Sequence, residues 1–100
     1  MTYIDPLNAS PDNYKLLLQE GNRRMVEMTL PAGTSDITHS HPAELVYFVK
    51  GSKVKIHVEN GDAMEADIPD GHVMAHEAWT HRVENIGDHD LKAIIFEVMP

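Results

Sequence analysis

A chain of 100 residues fits one domain, with little margin for a large core. Sixteen acidic side chains against eight basic ones give a formal charge of -8, which repels phosphate backbones and anionic lipid, so neither nucleic acid nor a membrane surface is an expected partner. Cysteine is absent, which excludes disulfides, thiolate metal sites and thiol catalysis and leaves any metal chemistry to His, Asp and Glu.

The first eight residues, Met-Thr-Tyr-Ile-Asp-Pro-Leu-Asn, carry neither a basic region nor an apolar run, and no later stretch reaches membrane-spanning length. A cytoplasmic protein is the expectation. Residues 1–13 hold Pro6, Asn8, Ser10, Pro11 and Asp12, a loop composition that reads as an N-terminal arm anchored by Ile4 and Leu7. Residues 14–100 read as one β domain, because short runs are broken by glycines at positions 21, 33, 51, 61, 71 and 87 and no window holds a long helical apolar period. Tyr14 to Gln19 and Arg23 to Leu30 flank Glu20-Gly21-Asn22, a hairpin signal, with Val26, Met28 and Leu30 alternating against Glu27 and Thr29. Pro31-Ala32-Gly33 turns the chain into a histidine-bearing strand.

From Glu44 to Lys50 the sequence is apolar on both faces, with Glu44, Val46 and Phe48 on one side and Leu45, Tyr47 and Val49 on the other. Val54, Ile56 and Val58 alternate with polar residues, which leaves His57 on a solvated face. Asn60-Gly61-Asp62 is a hairpin turn, after which Met64, Ala66 and Ile68 should share a buried face. Met25, Met28, Met64 and Met74 are expected to fill core. Beyond Pro69-Asp70-Gly71 lie His72 to His76 and then Thr80 to Asn85, where His81 and Val83 share a face. His72 and His89 sit in turn sequence. Leu91 to Val98 closes the chain as a second strand apolar on both faces, which suggests an interior on one side and a subunit contact on the other. The expected partner in that contact is a second copy, giving a homodimer.

His39 and His41, one residue apart on extended chain, put both imidazoles on one face, where they can grip a single ion. Glu44 follows within reach, and a carboxylate completes the nitrogen and oxygen set that zinc, iron, nickel or manganese accepts. His-x-His alone is more often two polar residues on a solvated strand; the flanking pattern raises the odds.

That pattern resembles the cupin superfamily, whose first motif runs Gly, five residues, His-x-His, three or four residues, Glu, six residues, Gly. Gly33, His39, His41, Glu44 and Gly51 follow it, with Pro42 and Ala43 alone between His41 and Glu44. The second motif runs Gly, five residues, Pro-x-Gly, two residues, His, three residues, Asn. Gly71, His81 and Asn85 follow it, with Glu77 in place of Pro, Trp79 in place of Gly and one residue fewer before His81. The whole length, including Asp5-Pro6-Leu7, is also similar to small bacterial cupins associated with β-alanine degradation.

The resemblance implies a double-stranded β-helix, the jelly-roll barrel of cupins, in which His81 meets His39 and His41 around one divalent ion with Glu44 as fourth ligand or base. Apart from the resemblance, His76 lies just before the His81 strand, where it either lines the pocket as a base or alternative ligand or sits at the barrel rim in solvent, and Trp79 either walls the pocket or packs in a core or interface. Two function classes follow. One is a metal-dependent enzyme acting on a small organic molecule by dioxygenation or isomerisation; the other is a non-catalytic protein that binds a small metabolite or regulates.

Overall fold

The computed structural model describes residues 3–100. A single helical turn, α1 (Pro6–Ala9), leads into β1 (Tyr14–Glu20), β2 (Arg23–Leu30), β3 (His39–His41), β4 (Glu44–Lys50), β5 (Lys53–Val58), β6 (Ala63–Asp67), β7 (Val73–His76), β8 (Trp79–Asn85) and β9 (Leu91–Val98). The strands form two antiparallel sheets. One has the order β1-β2-β9-β4-β7 and the other β3-β8-β5-β6. Long crossovers place sequence-distant strands side by side, as in a jelly roll.

Alternation decides which residues meet between the sheets. Val26, Met28 and Leu30 of β2, Val46 and Phe48 of β4, and Leu91, Ala93 and Ile95 of β9 face inward and are buried. Val54 and Val83 answer them from the other sheet, and Leu7 of α1 packs against the same cluster. The expected burial of Met28 holds and Met74 packs partly buried against the core, but Met25 does not join it: β2 alternation turns it to the outward face, beside Leu18 and Phe96. Met64 does not fill core: it is 51% exposed, because β6 is the outer edge of its sheet, pairs only with β5 and lies exposed along its whole length.

Motif residues that bind nothing shape the loops. A Cβ at Gly51 would lie 1.8 Å from the Ile68 carbonyl oxygen, so only glycine fits there. Gly33 takes a φ of 76° in the turn before the histidine strand, a conformation glycine adopts without a Cβ clash. Asn85 is fully buried and fully bonded: Nδ2 donates to the carbonyls of Leu30 and His89, and Oδ1 accepts from Ser52 Oγ and the Gly87 N–H. Its role is to tie β8 to the loop that follows it. No helix among the described residues is long and apolar enough to cross a membrane.

The N-terminal segment is fastened along the end of the four-stranded sheet. Ser40 N–H donates to the Ile4 carbonyl and Ile4 N–H to Ser40 Oγ, while Pro6 is buried. Asp5 caps α1 by accepting from Leu7 N–H at 3.0 Å.

Candidate metal centre

Register brings the three predicted histidines together. In the β3–β8 ladder His39 stands opposite His81 and His41 opposite Trp79, so period-two alternation puts all three imidazoles on the inner face. Their exposures are 0%, 3% and 5% for His39, His41 and His81. Ring centroids lie 4.7 Å apart for His39 and His41, 4.8 Å for His39 and His81, and 5.3 Å for His41 and His81. One ring nitrogen from each lies within 4.8 Å of those of the other two. Among the described residues this is the group of three His, Cys, Asp or Glu side chains able to hold an ion.

Hydrogen bonds select which nitrogens are free to coordinate. His39 Nδ1 lies 2.6 Å from the Ile37 carbonyl, which can only accept, so the proton is on Nδ1 and the Nε2 lone pair faces inward. His41 Nδ1 lies 2.5 Å from Glu97 Oε2, which likewise leaves Nε2 as the donor to an ion. His81 differs from both, since Nδ1 and Nε2 are buried with no hydrogen-bond partner. A buried polar atom left unpaired costs about 1–3 kcal/mol. A metal ion is the partner that suits three converging imidazole lone pairs, so the donor set fits the ion that the sequence motifs imply.

Tyr14, buried on β1, closes the other side of His39. Its hydroxyl donates to Asp36 Oδ2 at 2.8 Å and lies 3.0 Å from His39 Nε2. The hydroxyl has one proton to give, and when the Asp36 carboxylate takes it none is left for His39 Nε2. Burial first, and then the charge of His41, pushes the His39 imidazole down to about 4. Burial, reinforced by His39 and His41, pushes His81 down to about 2. Both are neutral at neutral pH, the form in which an imidazole can coordinate.

Glu44 is buried at 7% and lines the interior cavity with His41, His81 and Tyr14. Its Oε2 accepts from Trp79 Nε1 at 2.8 Å, and it is not part of the close three-imidazole group. Burial pushes its carboxyl up, against the pull of His41 and the Trp79 hydrogen bond. His76 stands opposite Glu44 in the β4–β7 ladder and stacks on Trp79 with centroids 3.6 Å apart. It is held from the three imidazoles by the Trp79 ring, while its Nδ1 lies 2.6 Å from the Glu77 carbonyl. The interior cavity has a volume of about 60 Å³, and Glu44 also borders an open groove of about 420 Å³ with His76 and Glu77. His57 is half-buried on the far face of its sheet beside Glu84, and His72 and His89 are exposed, all away from the cluster.

Three participants were not picked out in the sequence. Tyr14, Asp36 and Glu97 lie in segments whose neighbours read as ordinary strand or turn, and Glu97 in particular interrupts the inner apolar face of β9. A charged residue at an inward-facing position of an otherwise apolar strand was the available signal.

No protein-family model matches the sequence, and no curated protein matches it. Solved structures do match the fold. A cupin domain from Bordetella pertussis Tohama I is similar with a TM-score of 0.78 and 15% identity, over 100% of this chain and 99% of that one. An RmlC-like cupin family protein with a double-stranded β-helix fold from Methanocaldococcus jannaschii gives 0.67 and 12%, over 86% of this chain and 78% of that one. A predicted oxalate decarboxylase from Thermotoga maritima gives 0.63 and 25%, over 87% of this chain and 79% of that one. Together with the two-sheet topology and the meeting of β3 with β8, these likenesses establish an all-β, double-stranded β-helix fold of the cupin type.

Proposed function

We propose that the chain binds one divalent metal ion, zinc, iron, nickel or manganese, through His39 Nε2, His41 Nε2 and a ring nitrogen of His81, and acts there on a small organic molecule. The observation that carries this reading is the pair of buried, unpartnered nitrogens of His81 beside two imidazoles whose outer nitrogens are already engaged. An ion held by three neutral imidazoles retains open positions and supplies Lewis-acid activation of a bound oxygen ligand. Dioxygenation or isomerisation suits such a centre. Glu44, whose carboxyl burial holds above the usual carboxylate range, serves as the base or as a fourth ligand, with Trp79 Nε1 orienting it. His76 lies behind Trp79, where it can pass a proton between Glu44 and the groove only if that ring moves.

A second reading is a binding or regulatory protein without turnover, and on either reading the interior cavity limits what reaches the imidazoles. A water needs about 10–15 Å³, so about 60 Å³ admits an ion and a few light atoms but no large substrate. The narrower resemblance to cupins of β-alanine degradation draws no support from the structural neighbours.

We also infer a homodimer. The outward face of the five-stranded sheet carries the row Leu18, Met25, Phe96, Leu45 and Ala75 in register, flanked by Ile94, Tyr47 and Val73. Leu45 is 58% exposed, Tyr47 49% and Val73 66%, which makes a contiguous apolar patch of the kind monomers rarely leave in water.

Elemental analysis of the purified protein beside a His41→Ala/His81→Ala variant tests the metal reading. Stoichiometric metal in the first and none in the second is expected, with the variant still folded; equal metal in both overturns it. Substrate screening with the metal found then separates turnover from binding, beginning with oxalate because the Thermotoga maritima neighbour is a predicted oxalate decarboxylase.

A further inference from the structure

Glu97 is fully buried on the inner face of β9, on the same side of the strand as Ile95 and Ala93. Both of its oxygens are committed. Oε2 accepts from His41 Nδ1 at 2.5 Å, and Oε1 accepts from Arg24 Nε at 2.7 Å. Arg24, 5% exposed, stands opposite Glu97 in the β2–β9 ladder. The rest of its guanidinium turns to the N-terminal segment: Nη1 donates to Asp5 Oδ2 at 3.2 Å and Nη2 to Asp5 Oδ1 at 3.1 Å. Nη2 also donates to the Tyr3 hydroxyl at 3.3 Å. An unbroken chain of charge-assisted hydrogen bonds therefore runs Asp5, Arg24, Glu97, His41.

Satisfying His41 Nδ1 does not require this arrangement. For His39 the same task falls to a backbone carbonyl, that of Ile37. Burying a carboxylate and a guanidinium carries a desolvation penalty of several kcal/mol per ion, and a well-packed apolar pair would often be as stable. A carbonyl also fixes the tautomer and the ring orientation; what the carboxylate adds is a negative charge on the Nδ1 side, which makes Nε2 more basic. Arg24 gives the carboxylate a bonded partner on its other oxygen, and Asp5 holds the far side of the guanidinium.

We propose that Glu97 is the positioning residue for His41, with Arg24 and Asp5 locking it in place, so that the N-terminal segment is a working part of the metal centre. The proposal rests on the metal-binding reading above. It differs from a purely structural role in predicting that Asp5, which touches no ligand, alters metal affinity.

The experiment compares wild type, Glu97→Gln, Arg24→Gln and Asp5→Asn. Metal-free proteins are titrated with cobalt(II), followed by its visible spectrum, and the low-field proton resonance of His41 Nδ1–H is recorded without metal. Glu97→Gln should weaken cobalt binding about 10–100-fold and shift or abolish the resonance. Arg24→Gln should move both in the same direction by less, and Asp5→Asn by least. Near-isosteric Gln at position 97 preserves packing, and if that variant fails to fold, Asp5→Asn at a half-exposed residue decides. Folded variants that bind cobalt within about twofold of wild type, with the resonance unmoved, overturn the proposal. Wild type with no affinity for cobalt overturns the metal reading instead, and the positioning chain is then decided by the resonance alone.

Discussion

The two sheets bring different chemistry to one buried polar cluster. The four-stranded sheet supplies nitrogen, His39 and His41 from β3 and His81 from β8. The five-stranded sheet supplies oxygen, Tyr14 from β1, Glu44 from β4 and Glu97 from β9. The nitrogens are set by one antiparallel ladder in which His39 and His81 are direct partners, so their convergence depends on local register. The oxygens arrive from across the core, and their distances depend on how the sheets pack. Loss of a nitrogen should therefore be all-or-none for the centre, whereas loss of an oxygen should be graded.

The largest effect expected is that of His81→Ala. On the proposed metal reading, removal of the imidazole with two unpartnered nitrogens leaves two imidazoles, too few for a closed or catalytic divalent site. Metal measured in the dialysed variant should fall to background while circular dichroism remains that of wild type. Retention of a full equivalent would show that the two sheets do not divide the work in this way.

A second contrast lies within the five-stranded sheet, between its inner face and its outer one. Leu45 and Phe96 are adjacent in the β4–β9 ladder and point outward, while Val46 and Ile95, the next pair, are buried in the core. Leu45→Glu/Phe96→Glu should therefore leave the fold intact and halve the mass seen by light scattering at micromolar concentration, from a dimer to the 11.2 kDa chain. A wild-type protein that already scatters as 11.2 kDa would refute the pairing.

Graded loss is expected at Glu44. Glu44→Gln keeps the size of the side chain and an oxygen for Trp79 Nε1 but removes the negative charge. If Glu44 acts as base, metal affinity should change by about tenfold or less, roughly 1.4 kcal/mol, while any turnover falls much further. If it coordinates, a metal-bound structure should place its oxygen about 2.0–2.2 Å from a zinc-like ion. A carboxylate pointing away from the metal removes it from the ligand set.

The same division between sheets explains what could be read from the sequence. His39, His41 and His81 were legible because strand periodicity and motif spacing act on neighbouring residues, and both survive into the β3–β8 ladder. The two-sided strands at Glu44 to Lys50 and Leu91 to Val98 were legible for the same reason, and they lie side by side at the centre of the five-stranded sheet. Met64 was misplaced because alternation alone does not reveal which strand ends up at an edge. Glu97, Arg24 and Asp36 were hidden because their partners lie 56, 73 and 47 positions away in sequence, for His41, Glu97 and Val83 respectively. No local pattern encodes such pairings; sheet order does.

The smallest effect concerns how the metal-free protein responds to acid, and it pits the two sets of groups against each other. Burial holds His39 at about 4 and His81 at about 2, against an ordinary 6.5. At pH 5 unfolding lets both take up protons, so their contribution to stability, present above pH 6.5, is lost as the pH falls towards about 4 for His39 and towards about 2 for His81. Asp36 acts in the opposite direction. Burial raises its carboxyl from 3.8 to about 6, against the lowering influence of the Val83 N–H and the Tyr14 hydroxyl. Its contribution is present below pH 3.8 and lost as the pH rises through about 6, which offsets part of the histidine slope between those limits. Asp36→Asn removes that offset. Urea unfolding in the presence of a chelator, at pH 4.5 and pH 6, should show the variant losing stability on acidification more steeply than wild type by up to about 1.4 kcal/mol per pH unit. Asn keeps one oxygen for the Val83 N–H but presents an amide nitrogen to the Tyr14 hydroxyl, which changes the absolute stability as well, so the slope is the quantity to compare. Equal slopes in the two proteins would mean that Asp36 stays ionised in the folded state, and the burial argument for this side of the cavity would then fail.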